Sequence, residues 1–178
     1  TRTTAVLLDD DLHYDYTFER HLDALIKASY TLPREKVMQD LTNIFDVHDF
    51  TSVQSIPFLN RIKLYNQPIV LLSAGNDEFQ RMKINSTEMG DYFDDVLIVH
   101  GNKEVQVDKF SQTESQIFFI NDKIFENEEV KKKCPNAEVL RLINPHKRYG
   151  ARSDTMSLPA FDTLDRIADY IDSKITNI

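Results

Sequence analysis

The chain has 178 residues and a formal net charge of −8, with 41% hydrophobic and 28% charged residues, the balance of a globular chain long enough to bury a full core but with room for only a modest second body. A chain this acidic lacks the continuous basic face that duplex binding needs, which excludes nucleic acid as a partner. No stretch approaches the roughly 18 consecutive apolar residues of a membrane span, so no membrane partner is expected either.

The start, Thr1-Arg2-Thr3-Thr4, has neither an initiator methionine nor an apolar signal core and reads as a trimmed or processed start. The lone Cys134 permits no internal disulfide, which points to a reducing, cytoplasmic setting. The first apolar run is Ala5-Val6-Leu7-Leu8. Four more follow: Ile69-Val70-Leu71-Leu72, Val96-Leu97-Ile98-Val99, Ile117-Phe118-Phe119-Ile120 and Val139-Leu140-Arg141-Leu142-Ile143. Four of the five are continuous, the pattern of strands buried on both faces of a parallel sheet.

Helical periodicity fills the gaps between these runs. Phe79 and Met82 mark one helix, Ile124, Phe125 and Val130 another, and Phe161, Leu164, Ile167, Ala168, Ile171 and Ile175 a closing one. Alternation of strand and helix predicts an α/β fold, doubly wound around a mainly parallel five-stranded sheet. The first connection is too long for a simple crossover, running from about residue 10 to 68. Within it Phe18, Leu22, Leu25, Ile26 and Tyr30 share one helical face, as do Val37, Met38, Leu41, Ile44 and Phe45, with Pro33 placed to open the second helix. Residues 15–50 therefore read as a helical hairpin inserted into a core made of 1–14 and 51–178, and a helix over Ser52–Lys63 serves as the ordinary crossover.

Ligand sites in open α/β sheets lie beyond the carboxyl ends of the strands. There the chain carries Asp9-Asp10-Asp11, then Ser73-Ala74-Gly75-Asn76, then His100-Gly101-Asn102-Lys103, then Asn121-Asp122. Carboxylates, a hydroxyl and a lysine on one edge suit a hard divalent cation and a phosphoryl group. Asp and Asn also follow strands as turn formers and helix caps, which is the plain alternative for Asp122. Three successive Asp after a buried strand are less easily structural, because crowded like charges need a cation or hydrogen bonds to offset them.

In this order the strand ends resemble the four motifs of the haloacid dehalogenase-like superfamily. Val6-Leu7-Leu8-Asp9-Asp10-Asp11-Leu12-His13 matches the first motif at both aspartates, with Leu12-His13 where the family has Gly-Thr. Ile69-Val70-Leu71-Leu72-Ser73 matches the second, and Ile117-Phe118-Phe119-Ile120-Asn121-Asp122 with Glu126 the fourth, Asn121 replacing the usual Gly or Asp. The third motif is a single lysine. The short crossover from Val99 to Gln116 favours Lys103 at the active edge, while the alternation in Val105-Gln106-Val107-Asp108 suits a hairpin that would return Lys109 instead.

The resemblance implies a Mg²⁺-dependent phosphohydrolase, a phosphomonoester phosphatase in which Asp9 attacks phosphorus to give an aspartyl-phosphate and Asp11 acts as acid and then base. It implies Mg²⁺ on the Asp9 carboxylate, the Asp11 carbonyl and Asp122, with Glu126 supporting the metal shell. Ser73, Ala74 and Lys103 would contact the phosphoryl group. The insert of 15–50 resembles a small cap that selects a small phosphorylated substrate. His13 is either a loop histidine or a substrate contact, and the locally basic Asn144-Pro145-His146-Lys147-Arg148-Tyr149-Gly150-Ala151-Arg152 either a solvated loop or a holder of an anionic substrate part. The departures Leu12-His13 and Asn121 motivate the alternative of a catalytically silent binding module on the same fold. No glycine-rich nucleotide loop, no hydrolase elbow and no zinc-spaced His or Cys pair is present in the chain.

Overall fold

A computed structural model describes residues 16–28, 30–47, 51–114, 116–143 and 157–175. Asp9, Asp11, His13, the first apolar run and the basic stretch of 144–152 lie outside the described residues. The chain divides into two compact units, Thr1–Thr51 with Pro68–Gly101, and Ser52–Gln67 with Asn102–Ile178.

In the first unit, helix α1 spans Phe18–Lys27 and α2 spans Arg34–Val47. Thr17 caps α1 by accepting from the Arg20 amide at 3.2 Å, with Glu19 in the first turn and Lys27 in the last, each matched to the helix dipole. Pro33 precedes α2, and its carbonyl accepts from the Val37 amide. The described residues of 15–50 hold these two helices and no strand.

Strand β1, Val70–Ala74, pairs in parallel with β2, Asp95–Val99, setting Ser73 against Ile98 and Ala74 against Val99. Between them α4 spans Asp77–Asn85, the label α3 being kept for Ser55–Lys63 of the other unit. Asn76 caps α4 by accepting from the Phe79 amide at 3.0 Å. An aromatic cluster ties the helices of this unit together. Phe79 lies 4.9 Å from Tyr16 and 5.2 Å from Phe18, ring to ring, and Phe45 of α2 lies 5.5 Å from Phe18.

In the second unit, β3 (Phe118–Asn121), β4 (Glu138–Leu142) and β5 (Ala160–Phe161) form a parallel three-stranded sheet in that order. Helices α5 (Lys103–Ser111), α6 (Ile124–Lys133) and α7 (Leu164–Ile175) complete it with α3. Its core is Val107, Ile124, Val130, Val139, Leu140, Ile167, Ala168 and Ile171. The largest apolar side chains here lose nearly all contact with water, worth about 1.5–3 kcal/mol each. Arg61 of α3 donates to Asp169 and Asp172 of α7, and Tyr65 also donates to Asp172, fastening one helix to the other.

Two local expectations change. Val105–Asp108 is helical, not a hairpin; in a helix alternate residues face nearly opposite ways, and Val107 is buried while Val105 is exposed. Phe161 belongs to β5, not to the closing helix. It pairs with Leu142 and its carbonyl accepts from Ile143, while Thr163 then caps α7 by accepting from the Arg166 amide. Among the described residues β5 is also a strand, a short one that no apolar run foretold.

Candidate active site

The second unit gathers its polar groups at the carboxyl end of β3. The chain leaves β2 through two left-handed residues, Gly101 (φ 74°) and Asn102 (φ 55°), conformations that glycine and asparagine tolerate best. That sharp turn starts α5 at Lys103, so its side chain belongs to the first turn. Lys103 Nζ lies 2.8 Å from Glu126 Oε2 and donates to Asn121 Oδ1 at 3.3 Å. Lys109, exposed in the last turn of the same helix, instead donates to Gln106.

Glu126 is the hub. It sits in the first turn of α6, 6% exposed, and both oxygens are engaged: Oε1 with Lys123 Nζ at 2.9 Å, Oε2 with Lys103 and with Asn121 Nδ2 at 3.0 Å. Burial pushes its carboxyl upward, but the charge and hydrogen bond of Lys103, joined by those of Lys123, outweigh burial and hold it below the ordinary glutamate range. The group is an ionised carboxylate clamped by two ammonium groups.

Asn121 is the second organiser. Besides its bonds to Lys103 and Glu126, its carbonyl accepts from Asn127 Nδ2 at 3.1 Å, so a fully buried amide on α6 pins the end of β3. Asp122 follows directly, half-buried at the strand terminus. It offers one hard oxygen donor of the kind Mg²⁺ takes. No three carboxylate, imidazole or thiol side chains converge as a metal site among the described residues; Asp9 and Asp11, the other two expected ligands, lie outside them.

Ser73 and Ala74 close β1 in the first unit. The Ser73 hydroxyl donates to Gln80 Oε1 at 3.0 Å, and Lys83 Nζ donates to the same oxygen at 3.2 Å. The structure thus places Ser73 and Ala74 at one strand end, and brings Lys103, Asn121, Asp122 and Glu126 together at another.

The sequence reading passed over Lys123, Asn127 and Gln80. Asn127 left a signal, since it stands three residues from both Ile124 and Val130 on the apolar face of α6, where an unsolvated amide needs a partner. Lys123 and Glu126 also stand at the spacing of a helical pair. Gln80 left none, because its role depends on how α4 folds back over the end of β1.

No protein-family profile and no curated protein sequence matches the chain. Solved structures do. A haloacid dehalogenase-like hydrolase from Burkholderia xenovorans LB400 matches with a TM-score of 0.70 at 17% identity, covering 94% of this chain and 80% of that one. L-2-haloacid dehalogenase from Xanthobacter autotrophicus matches with a TM-score of 0.61 at 15% identity, covering 86% and 73%. A HAD-superfamily hydrolase from Ehrlichia chaffeensis matches with a TM-score of 0.53 at 16% identity, covering 98% and 88%. At such identities the likeness is one of fold, and the chain has the haloacid dehalogenase-like α/β fold.

Proposed function

We propose that the chain is a Mg²⁺-dependent phosphohydrolase that cleaves a small phosphomonoester through an aspartyl-phosphate on Asp9. The observation that carries the reading is the enclosed Lys103 ammonium, fixed by Glu126 and Asn121 beside Asp122 at the end of β3. A phosphate monoester repels an approaching nucleophile, and the remedy is positive charge already in place. Lys103 is such a charge, and its side chain is held by two contacts, so little reorganisation accompanies its use.

In this reading Asp9 is the nucleophile and Asp11 holds the proton, first delivering it to the leaving oxygen and then withdrawing one from water. Ser73, Ala74 and Lys103 orient the phosphoryl oxygens, His13 meets the substrate, and the helices of 15–50 act as a small cap. Asp9, the Asp11 carbonyl and Asp122 would hold Mg²⁺, which supplies further neutralisation of the phosphoryl charge when bound. A cytoplasmic location fits the free, buried Cys134.

The test is turnover of a phosphomonoester panel with Mg²⁺, together with mass spectrometry of two variants. Wild type releases phosphate. Asp9→Asn is inactive and carries no adduct, whereas Asp11→Asn, given an activated ester such as a nitrophenyl phosphate, retains one added phosphoryl group. Halide release from 2-haloacids without phosphate release would transfer the nucleophile's chemistry to carbon and overturn the substrate assignment. Absence of any turnover and any adduct would leave the silent binding module.

A further inference from the structure

We infer that Gln80 is an anion-binding residue at the end of β1, its carboxamide turned so that the N–H donors of Nε2 face the substrate's phosphoryl oxygens. This rests on the phosphohydrolase reading for the identity of the anion, but the orientation of the amide comes from the chain itself. Lys83 Nζ has donors only, so the Gln80 atom 3.2 Å away must be the oxygen. The Ser73 hydroxyl donates to the same oxygen at 3.0 Å. With two donors on Oε1, Nε2 points the other way, and among the described residues no group accepts from it.

That other way is the strand terminus. A Cβ added to Gly75 would stand 2.4 Å from Gln80 Nε2 and 3.1 Å from its carboxamide carbon, so the amide lies against the bare backbone just beyond Ala74. Gly75 has φ of +150°, a conformation that residues with side chains rarely adopt. Its amide donates to the Val99 carbonyl at 2.9 Å, which fixes this backbone to β2. A glycine thus makes room for an amide whose donors sit where sheets of this type place their ligands. Ser73 thereby positions the amide: its one hydroxyl hydrogen goes to Gln80.

The experiment is calorimetric titration of the full chain with inorganic phosphate in the presence of Mg²⁺. Gln80→Met keeps length and removes both amide groups, and should weaken phosphate binding about ten- to a hundredfold, the loss of one hydrogen bond to a charged acceptor. Gln80→Glu keeps the acceptor for Ser73 and Lys83, and so keeps the local structure, but replaces the donors by charge and should weaken binding further. Gly75→Ala must push the amide aside and should weaken binding as Gln80→Met does. Thermal unfolding of the three variants separates loss of binding from loss of fold. Either Gln80 variant binding phosphate as wild type does, or a wild type that binds none, would overturn the assignment. Phosphate binding without turnover of any phosphomonoester would instead overturn the phosphohydrolase reading and leave Gln80 as an anion ligand.

Discussion

The ammonium of Lys103 and the carboxylate of Glu126 stand 2.8 Å apart with 11% and 6% of their side chains exposed, which joins the start of α5 to the first turn of α6 through one ion pair. The two partners are not equally replaceable. Glu126→Ala leaves both Lys103 and Lys123 enclosed without their shared counter-charge, and should cost about 3–5 kcal/mol, the usual consequence of breaking a buried pair from one side. Lys103→Met leaves Glu126 paired with Lys123 and bonded to Asn121, and should cost less. Urea unfolding of the two variants gives the order directly; a Lys103→Met protein less stable than Glu126→Ala would show that Lys103 is held by something other than this carboxylate.

Glu126 also sets a pH dependence. Its carboxyl titrates below the ordinary glutamate range in the folded chain, because the two lysines outweigh burial. A lowered folded value means that its contribution is fully present above the unfolded value of about 4.3 and is lost as pH falls through the lower, folded value. Unfolding measured across that acid window should therefore give a steeper loss of stability for wild type than for Glu126→Gln, whose amide does not titrate. Equal slopes would mean that the acid sensitivity of the fold arises elsewhere.

Asn127 holds the end of β3 from α6 through its bond to the Asn121 carbonyl, and its Oδ1 has no partner among the described residues. Asn127→Ala should cost about 1–3 kcal/mol by leaving that carbonyl without its side-chain donor. Because Asn121 also holds Lys103, the same variant should lower turnover at unchanged protein concentration. A stability loss with fully retained kcat/KM would confine Asn127 to the fold.

Much of this architecture could be read from the chain. The apolar runs at Val70, Val96, Phe118 and Val139 are strands, three of them continuous and the fourth broken only by Arg141, the pattern expected of a parallel sheet. The two helices of 18–47 follow from their apolar faces and from Pro33. Two errors had one cause, that short periodic signals are ambiguous. Val105 and Val107 alternate as in a strand, yet only Val107 is buried in a helix. Phe161 continues the spacing of α7, yet its ring reaches Tyr170 at 5.3 Å from a neighbouring strand. The site was legible as a set of strand ends but not as contacts. That Glu126 meets two lysines, and that Gln80 folds over Gly75, depend on side chains meeting across elements, which spacing along one chain does not encode.

The choice between the two candidate lysines yields the last prediction. Lys103 opens α5 and is bound into the group formed by Asn121 and Glu126 next to Asp122, whereas the exposed Lys109 lies in the last turn of the same helix with its ammonium on Gln106. A helix rises about 1.5 Å per residue, so two lysines six positions apart are separated by roughly 9 Å along the axis, too far to serve one phosphoryl group in turn. If the charge on Lys103 stabilises the transferring phosphoryl group, Lys103→Met should lower kcat/KM about 10²–10³-fold, the scale seen when one preorganised electrostatic contact is removed. Lys109→Met should leave it within about twofold. Lys103→Arg separates charge from shape: the guanidinium keeps the charge but cannot reproduce the compact ammonium between Asn121 and Glu126, so activity should recover only in part. Steady-state kinetics on one phosphomonoester with saturating Mg²⁺ decides the matter. A Lys109→Met protein that loses activity while Lys103→Met keeps it would move the site to the other end of α5 and detach Lys103, Asn121 and Glu126 from the chemistry.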